Sequence, residues 1–118
     1  IMSLSYTLTS LLLGLITLGS NLLTVNNLET QLVDAVANQD YVFVEKAIDT
    51  NLIDANTKIN GKTLLIYACI YDQAEMVLLL LNKGAALDVP CELGYTPEEH
   101  AVMNNSIYAL AQIIIVKA

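Results

Sequence analysis

The sequence predicts an all-α fold: a solenoid of paired antiparallel helices joined by hairpin-like loops, preceded by a hydrophobic N-terminal helix. Two observations carry the solenoid. Matching residues recur at a fixed offset of 33, and each recurring unit holds the start and stop signals of two short helices. A third observation sets the front of the chain apart, because Ile1 to Leu28 contains no charged residue. The chain therefore divides into a hydrophobic segment at 1–27 and a repeat domain at 28–118, with repeats at about 28–60, 61–93 and 94–118.

The first segment, "IMSLSYTLTSLLLGLITLGSNLLTVNN", admits three readings. "LLLGLITL" at Leu11–Leu18 has the apolar core of a signal peptide, and Thr17–Gly19 offers small residues at a cleavable spacing. Leu4 to Val25 is also uncharged and long enough to span a bilayer, which needs about 20 residues, so membrane contact through residues 4–25 is the second reading. Alternation of apolar and polar residues over Met2–Thr9 gives the third, a local strand. The first two imply a protein that is exported, periplasmic or secreted, or membrane-anchored.

In the repeats, Gly61 recurs as Gly94, and Thr63 as Thr96 with Thr30 one step earlier. The alanines follow as Ala35, Ala68 and Ala101. So do apolar columns: Val44, Val77, Leu110; Ala47, Leu80, Ile113; Ile48, Leu81, Ile114. In the middle repeat the Thr63 hydroxyl can cap a helix running through "LLIYACIY". Asp72 shares a column with Gln39 and Asn105, and Asp and Asn tolerate the left-handed backbone that ends a helix. A second helix covers roughly Ala74 to Lys83 and stops at Gly84. In the third repeat Thr96 caps, Pro97 takes the first helical position and Glu99 completes a capping box. Pro90 and Gly94 bracket the turn before it.

These residues resemble the ankyrin-repeat family. Its motif opens Gly-x-Thr-Pro-Leu-His-x-Ala-Ala; the middle repeat reads "GKTLLIYAC" and continues "EMVLLLLNKGAALD", and the third reads "GYTPEEHAV". "LETQLVDAVANQDYVFVEKAID" is similar to a degenerate N-terminal capping repeat. Leu64 stands for the motif's proline and Ile66 for its histidine, and "EEH" falls where the family is mostly apolar. The resemblance implies a protein-binding module without catalytic activity. It also implies binding through loop tips and the inner face of the first helices. Carried onto this sequence, those positions are Asn38 in the first repeat, Ile59, Asn60, Lys62, Ile70 and Tyr71 in the middle, and Glu92, Leu93, Tyr95, Met103 and Asn104 in the third. Tyr71 and Tyr95 are the leading candidates, because solvated tips are ordinarily polar and aromatic side chains concentrate at interfaces. Ile59 and Leu93 are equally open to folding under the loops as core.

Composition narrows the partner. The chain carries twelve acids and five basic residues, all lysine, for a net charge of −7. That argues against nucleic acid, whose phosphates need clustered Lys and Arg. An apolar face flanked by acids fits a protein partner with an apolar groove and a basic rim. An accessory subunit of a membrane complex and an immunity-type inhibitor of an exported toxin both meet that description.

Chemical motifs give no competing reading. "GKT" at Gly61–Thr63 lacks the upstream glycine of a phosphate-binding loop, since Asn56 stands there. One histidine, His100, builds no multi-histidine metal site, and no cofactor is expected. Cys69 falls in a small-residue packing column, and Glu98 and Glu99 are explained as first-turn acids of a helix. Asn104-Asn105-Ser106 is formally a glycosylation sequon, placed across a tight turn. "QIIIVKA" leaves Ile115 and Val116 apolar where a terminal repeat needs a polar outer face.

Overall fold

In the computed structural model the described residues are 28–118. The targeting, membrane-span and strand readings of residues 1–27 therefore lie outside them. The chain divides at Gln31 and Leu32, and the architecture below is that of Leu32–Ala118. Six helices make up the described structure. Helix α1 occupies 28–37, α2 Tyr41–Asp49, α3 Leu64–Ile70, α4 Ala74–Asn82, α5 Pro97–Met103 and α6 Ile107–Lys117. A two-stranded antiparallel hairpin, β1 Lys58–Ile59 and β2 Lys62–Thr63, precedes α3. Among the described residues no helix is long and apolar enough to cross a membrane.

The local signals act where the periodicity places them. The Thr63 hydroxyl accepts from the Ile66 amide at 3.2 Å. Thr96 and Glu99 form the reciprocal capping box, with Pro97 at the start of α5. The column after each first helix is left-handed at Gln39 (φ 62°), Asp72 (φ 56°) and Asn105 (φ 58°), which turns the chain antiparallel. Thr30 is different: the chain is already helical at 28–30, so this member of the threonine column starts no helix.

Helix stacking follows the columns. First helices pack on each other through α3 and α5, and second helices through α2, α4 and α6. Val44, Ala47, Val77, Leu80 and Ile113 are buried between them. The Ile48, Leu81, Ile114 column does not face the core throughout. Instead Ile48 and Leu81 are half-buried, and Ile114 is 55% exposed because no described helix covers that side of α6. Ile115 and Val116 are exposed as well.

Polar side chains tie one repeat to the next at the same spacing. Gln73 donates to the Ala37 carbonyl at 2.9 Å, and Ser106 reaches the Ile70 carbonyl at 3.5 Å. The Asn56 amide group clasps the following loop, accepting from Ala86 N–H at 2.8 Å and donating to the Gly84 carbonyl at 3.2 Å. Asp72 Oδ1 accepts from the backbone amides of Tyr108 and Ala109, both at 2.9 Å, and so caps α6 from the repeat before.

Candidate functional site

The loop tips before α3 and α5 and the exposed edges of those helices form one candidate surface. At the first tip, Asn60 (φ 54°) and Gly61 (φ 84°) are both left-handed, the requirement of a two-residue hairpin turn of the primed type. Lys58 pairs with Thr63, and Ile59 with Lys62. Asn60 is exposed. Ile59 is not part of the surface: it is 2% exposed, and its carbonyl accepts the Tyr67 hydroxyl at 2.7 Å. That bond pulls the strand against α3 and turns the isoleucine into the core.

The second tip is a turn over Cys91–Gly94, closed by Gly94 N–H to the Cys91 carbonyl at 2.9 Å, with Gly94 left-handed. Leu93 sits on it at 77% exposure, so it is not satellite core. The two tips are stitched together. Glu92 N–H donates to the Gly61 carbonyl at 3.0 Å, and the Glu92 carboxylate lies 3.4 Å from Lys62 Nζ. A Cβ on Gly61 would meet that carboxyl group at 2.6 Å. Glu92's own backbone amide and then Lys62 hold its carboxyl below the usual carboxylate range. The pair is solvent-screened and orders the tips more than it stabilises the fold.

Behind the tips lies an aromatic row. Tyr67 and Tyr71 stack at 6.5 Å, Tyr67 buried and Tyr71 44% exposed. Burial raises the Tyr67 phenol above its ordinary value. Tyr95 meets the His100 ring edge-on at 6.2 Å. His100 is 7% exposed, and its Nε2 has no hydrogen-bond partner among the described residues. Burial first, and Lys62 second, push its pKa down, so the ring is held neutral.

Tyr95 also walls a shallow groove of about 480 Å³ together with Thr96, Glu98, Glu99, Val102 and Met103. Val102 is 59% and Met103 52% exposed. Sequence reasoning singles out Tyr95 and Met103 but not Val102, Glu98 or Glu99. A helical signal for them was present: Glu98 and Val102, and Glu99 and Met103, are four apart and share one face of α5.

The remaining candidates are less gathered. Ile70 is half-buried, and its carbonyl receives Ser106. Asn104 is exposed, but its side-chain amide is engaged, donating to the His100 carbonyl at 2.8 Å. Asn38 is exposed in the turn after α1, and among the described residues nothing joins it to the other candidates. Cys69 is fully buried and its thiol is pushed up to about 12, mainly by burial, which leaves almost no thiolate at neutral pH. Among the described residues no three of His, Cys, Asp and Glu gather closely enough to hold a metal. What the surface offers is aromatic and apolar contact beside carboxylates.

Helix pairs stacked at a constant spacing, with hairpin tips beside the first helices, define a repeat-solenoid protein of the kind that presents a surface rather than encloses a cavity. The chain belongs to the ankyrin-repeat family: a family model of ankyrin repeats in three copies matches residues 32–117. Among solved structures it resembles a chain of the complex between the predatory endopeptidase Bd0816 from Bdellovibrio bacteriovorus and the immunity protein Bd3460. The TM-score is 0.66 and the identity 27%, over 74% of this chain and 46% of that one. This chain thus spans about half the length of the chain it matches.

Proposed function

We propose that the protein is a non-catalytic binding module of the immunity type, which holds and restrains an exported peptidase. The observation that carries this reading is the likeness to a chain of an endopeptidase–immunity complex. We take that likeness to be to the immunity partner, because an ankyrin stack is a binding scaffold and the peptidase must supply the hydrolytic machinery. The exposed Tyr71, Tyr95 and Leu93 beside Lys62 and Glu92 support the loop-tip face as the contact surface. Aromatic anchors contribute most at such interfaces. The reading includes a location outside the cytoplasm or at a membrane, supported by the uncharged residues 1–27. N-terminal sequencing of the native protein distinguishes these: a start near Ser20 means secretion, and a start at or before Ile1 means a retained segment.

The test of binding is co-expression with the exported peptidases of the source organism, followed by recovery of the complex and a peptidase assay. Wild type is expected to co-purify with one peptidase and lower its activity. The Tyr71→Ala/Tyr95→Ala variant is expected to weaken the complex at least about tenfold, since a hot-spot aromatic contributes about 2 kcal/mol or more. Unchanged recovery with that variant removes the proposed face. Failure of wild type to inhibit any of them removes the immunity reading.

A further inference from the structure

The groove on α5 occupies columns that the middle repeat uses for packing. Thirty-three residues earlier, Glu98, Glu99 and Val102 correspond to Leu65, Ile66 and Cys69. Those three are fully buried, and α3 packs against α5. In the third repeat the same columns are open. Val102 keeps its column apolar, with Met103 and Tyr95 beside it in the groove, while two carboxylates replace the aliphatic pair. This face is therefore neither a polar cap nor a copy of the inner interface.

We infer that the groove seats an apolar side chain of a partner segment that carries a lysine or arginine beside it. The inference rests on the reading that the protein binds another protein. Val102, Met103 and the Tyr95 ring give an apolar side chain something to bury against. Charge fixes what stands next to it. Lys117 sits 2.6 Å from Glu98 Oε1. Glu99 Oε1 accepts from Thr96 N–H at 2.9 Å, and its second oxygen has no donor among the described residues. An incoming cation finds one open carboxylate oxygen at the rim, in a chain of net charge −7. A second copy stacked by its own apolar columns fits badly. It would bury Glu98, with Lys117 as its one counter-charge, and Glu99, with one oxygen lacking a donor, where Leu65 and Ile66 sit inside the stack, and desolvating carboxylates so incompletely paired is strongly unfavourable.

The test uses methyl and aromatic NMR of the full chain with an acetylated Gly-Leu-Arg-Gly amide and its charge-swapped Gly-Leu-Glu-Gly counterpart. One anchored side chain and one screened ion pair support affinity of only about millimolar, so titration runs through that range. Expected are localised shifts at Val102, Met103 and Tyr95 with the arginine peptide, at least about tenfold weaker with the glutamate peptide. Val102→Glu, at an exposed position, is expected to abolish the response without disturbing Tyr71. Equal response to both peptides, or none at Val102 and Met103, overturns the inference. So does a shift of those methyls with protein concentration alone, accompanied by a dimer mass. Peptide failure beside an intact peptidase complex removes only the groove. Peptide binding without any peptidase complex removes only the immunity reading.

Discussion

The Asp72 carboxylate works in two repeats at once. Its own backbone is left-handed (φ 56°), ending the first helix of the middle repeat, and its Oδ1 caps α6 through Tyr108 and Ala109. Helix α6 depends on it, since Ser106 at the N-cap makes no side-chain capping bond. Asp72→Ala removes the acceptor and puts a side chain without local polar compensation in the left-handed region. A loss of about 1–2 kcal/mol is expected, read as a lower urea midpoint, with Asp72→Asn closer to wild type. Equal losses for both would show that charge, not the cap geometry, matters. His100 contributes a pH response just below neutrality. Its folded pKa lies below the ordinary value of about 6.5, so above that pH neither state is protonated and the stability is fully present. As pH falls below 6.5 the unfolded chain takes up a proton that the buried ring resists, and stability drops until the folded pKa is passed. Thermal melts are expected to show this fall, and His100→Leu to flatten it; an unchanged slope in the variant assigns the effect to other groups.

The two tips preceding α3 and α5 make the loop-level logic testable. Gly61 and Gly94 are both left-handed, at φ 84° and 91°, but only Gly61 has the Glu92 carboxyl where a Cβ would go. Gly94→Ala meets open space and costs only the conformational strain of a left-handed alanine, about 1–2 kcal/mol. Gly61→Ala is expected to cost more, and adding Glu92→Ala to recover the difference but not the shared strain. Identical losses for the two glycines in denaturant melts would mean Glu92 simply swings aside. Elements of this kind were legible where the deciding contact is local. Thr63, Thr96, Glu99 and Asp72 reveal caps and turns within a few residues of themselves. Contacts between elements were not. Ile59 is drawn inward by the Tyr67 hydroxyl eight residues on. Asp72 caps a helix 36 residues away. Val102 shares a column with Cys69, yet one is exposed and the other buried, because burial depends on which repeat covers the column.

In the whole stack, each repeat gains its core only from its neighbours, and a three-repeat array is close to the smallest that holds together. Stability along such an array is unequal. The middle repeat is covered by a described repeat on each side, while α5 and α6 leave Val102, Met103, Ile114 and Ile115 exposed on their far side. Local opening therefore begins more readily in the third repeat than in the middle one. The two cysteines report on this without added labels. Cys69 is fully buried on α3, and Cys91 is 4% exposed at the tip leading into α5. In the native state both are expected to resist an aromatic disulfide reagent, Cys69 doubly so because its thiol is raised to about 12. In rising urea, Cys91 is expected to react first, below the global midpoint. Cys69 should then follow the loss of helical circular dichroism, since only unfolding of the middle repeat uncovers it. Mass spectrometry of quenched samples separates the two sites. Simultaneous labelling at the global midpoint would instead make Leu32–Ala118 a single cooperative unit, with the third repeat bound to the others as tightly as the middle one.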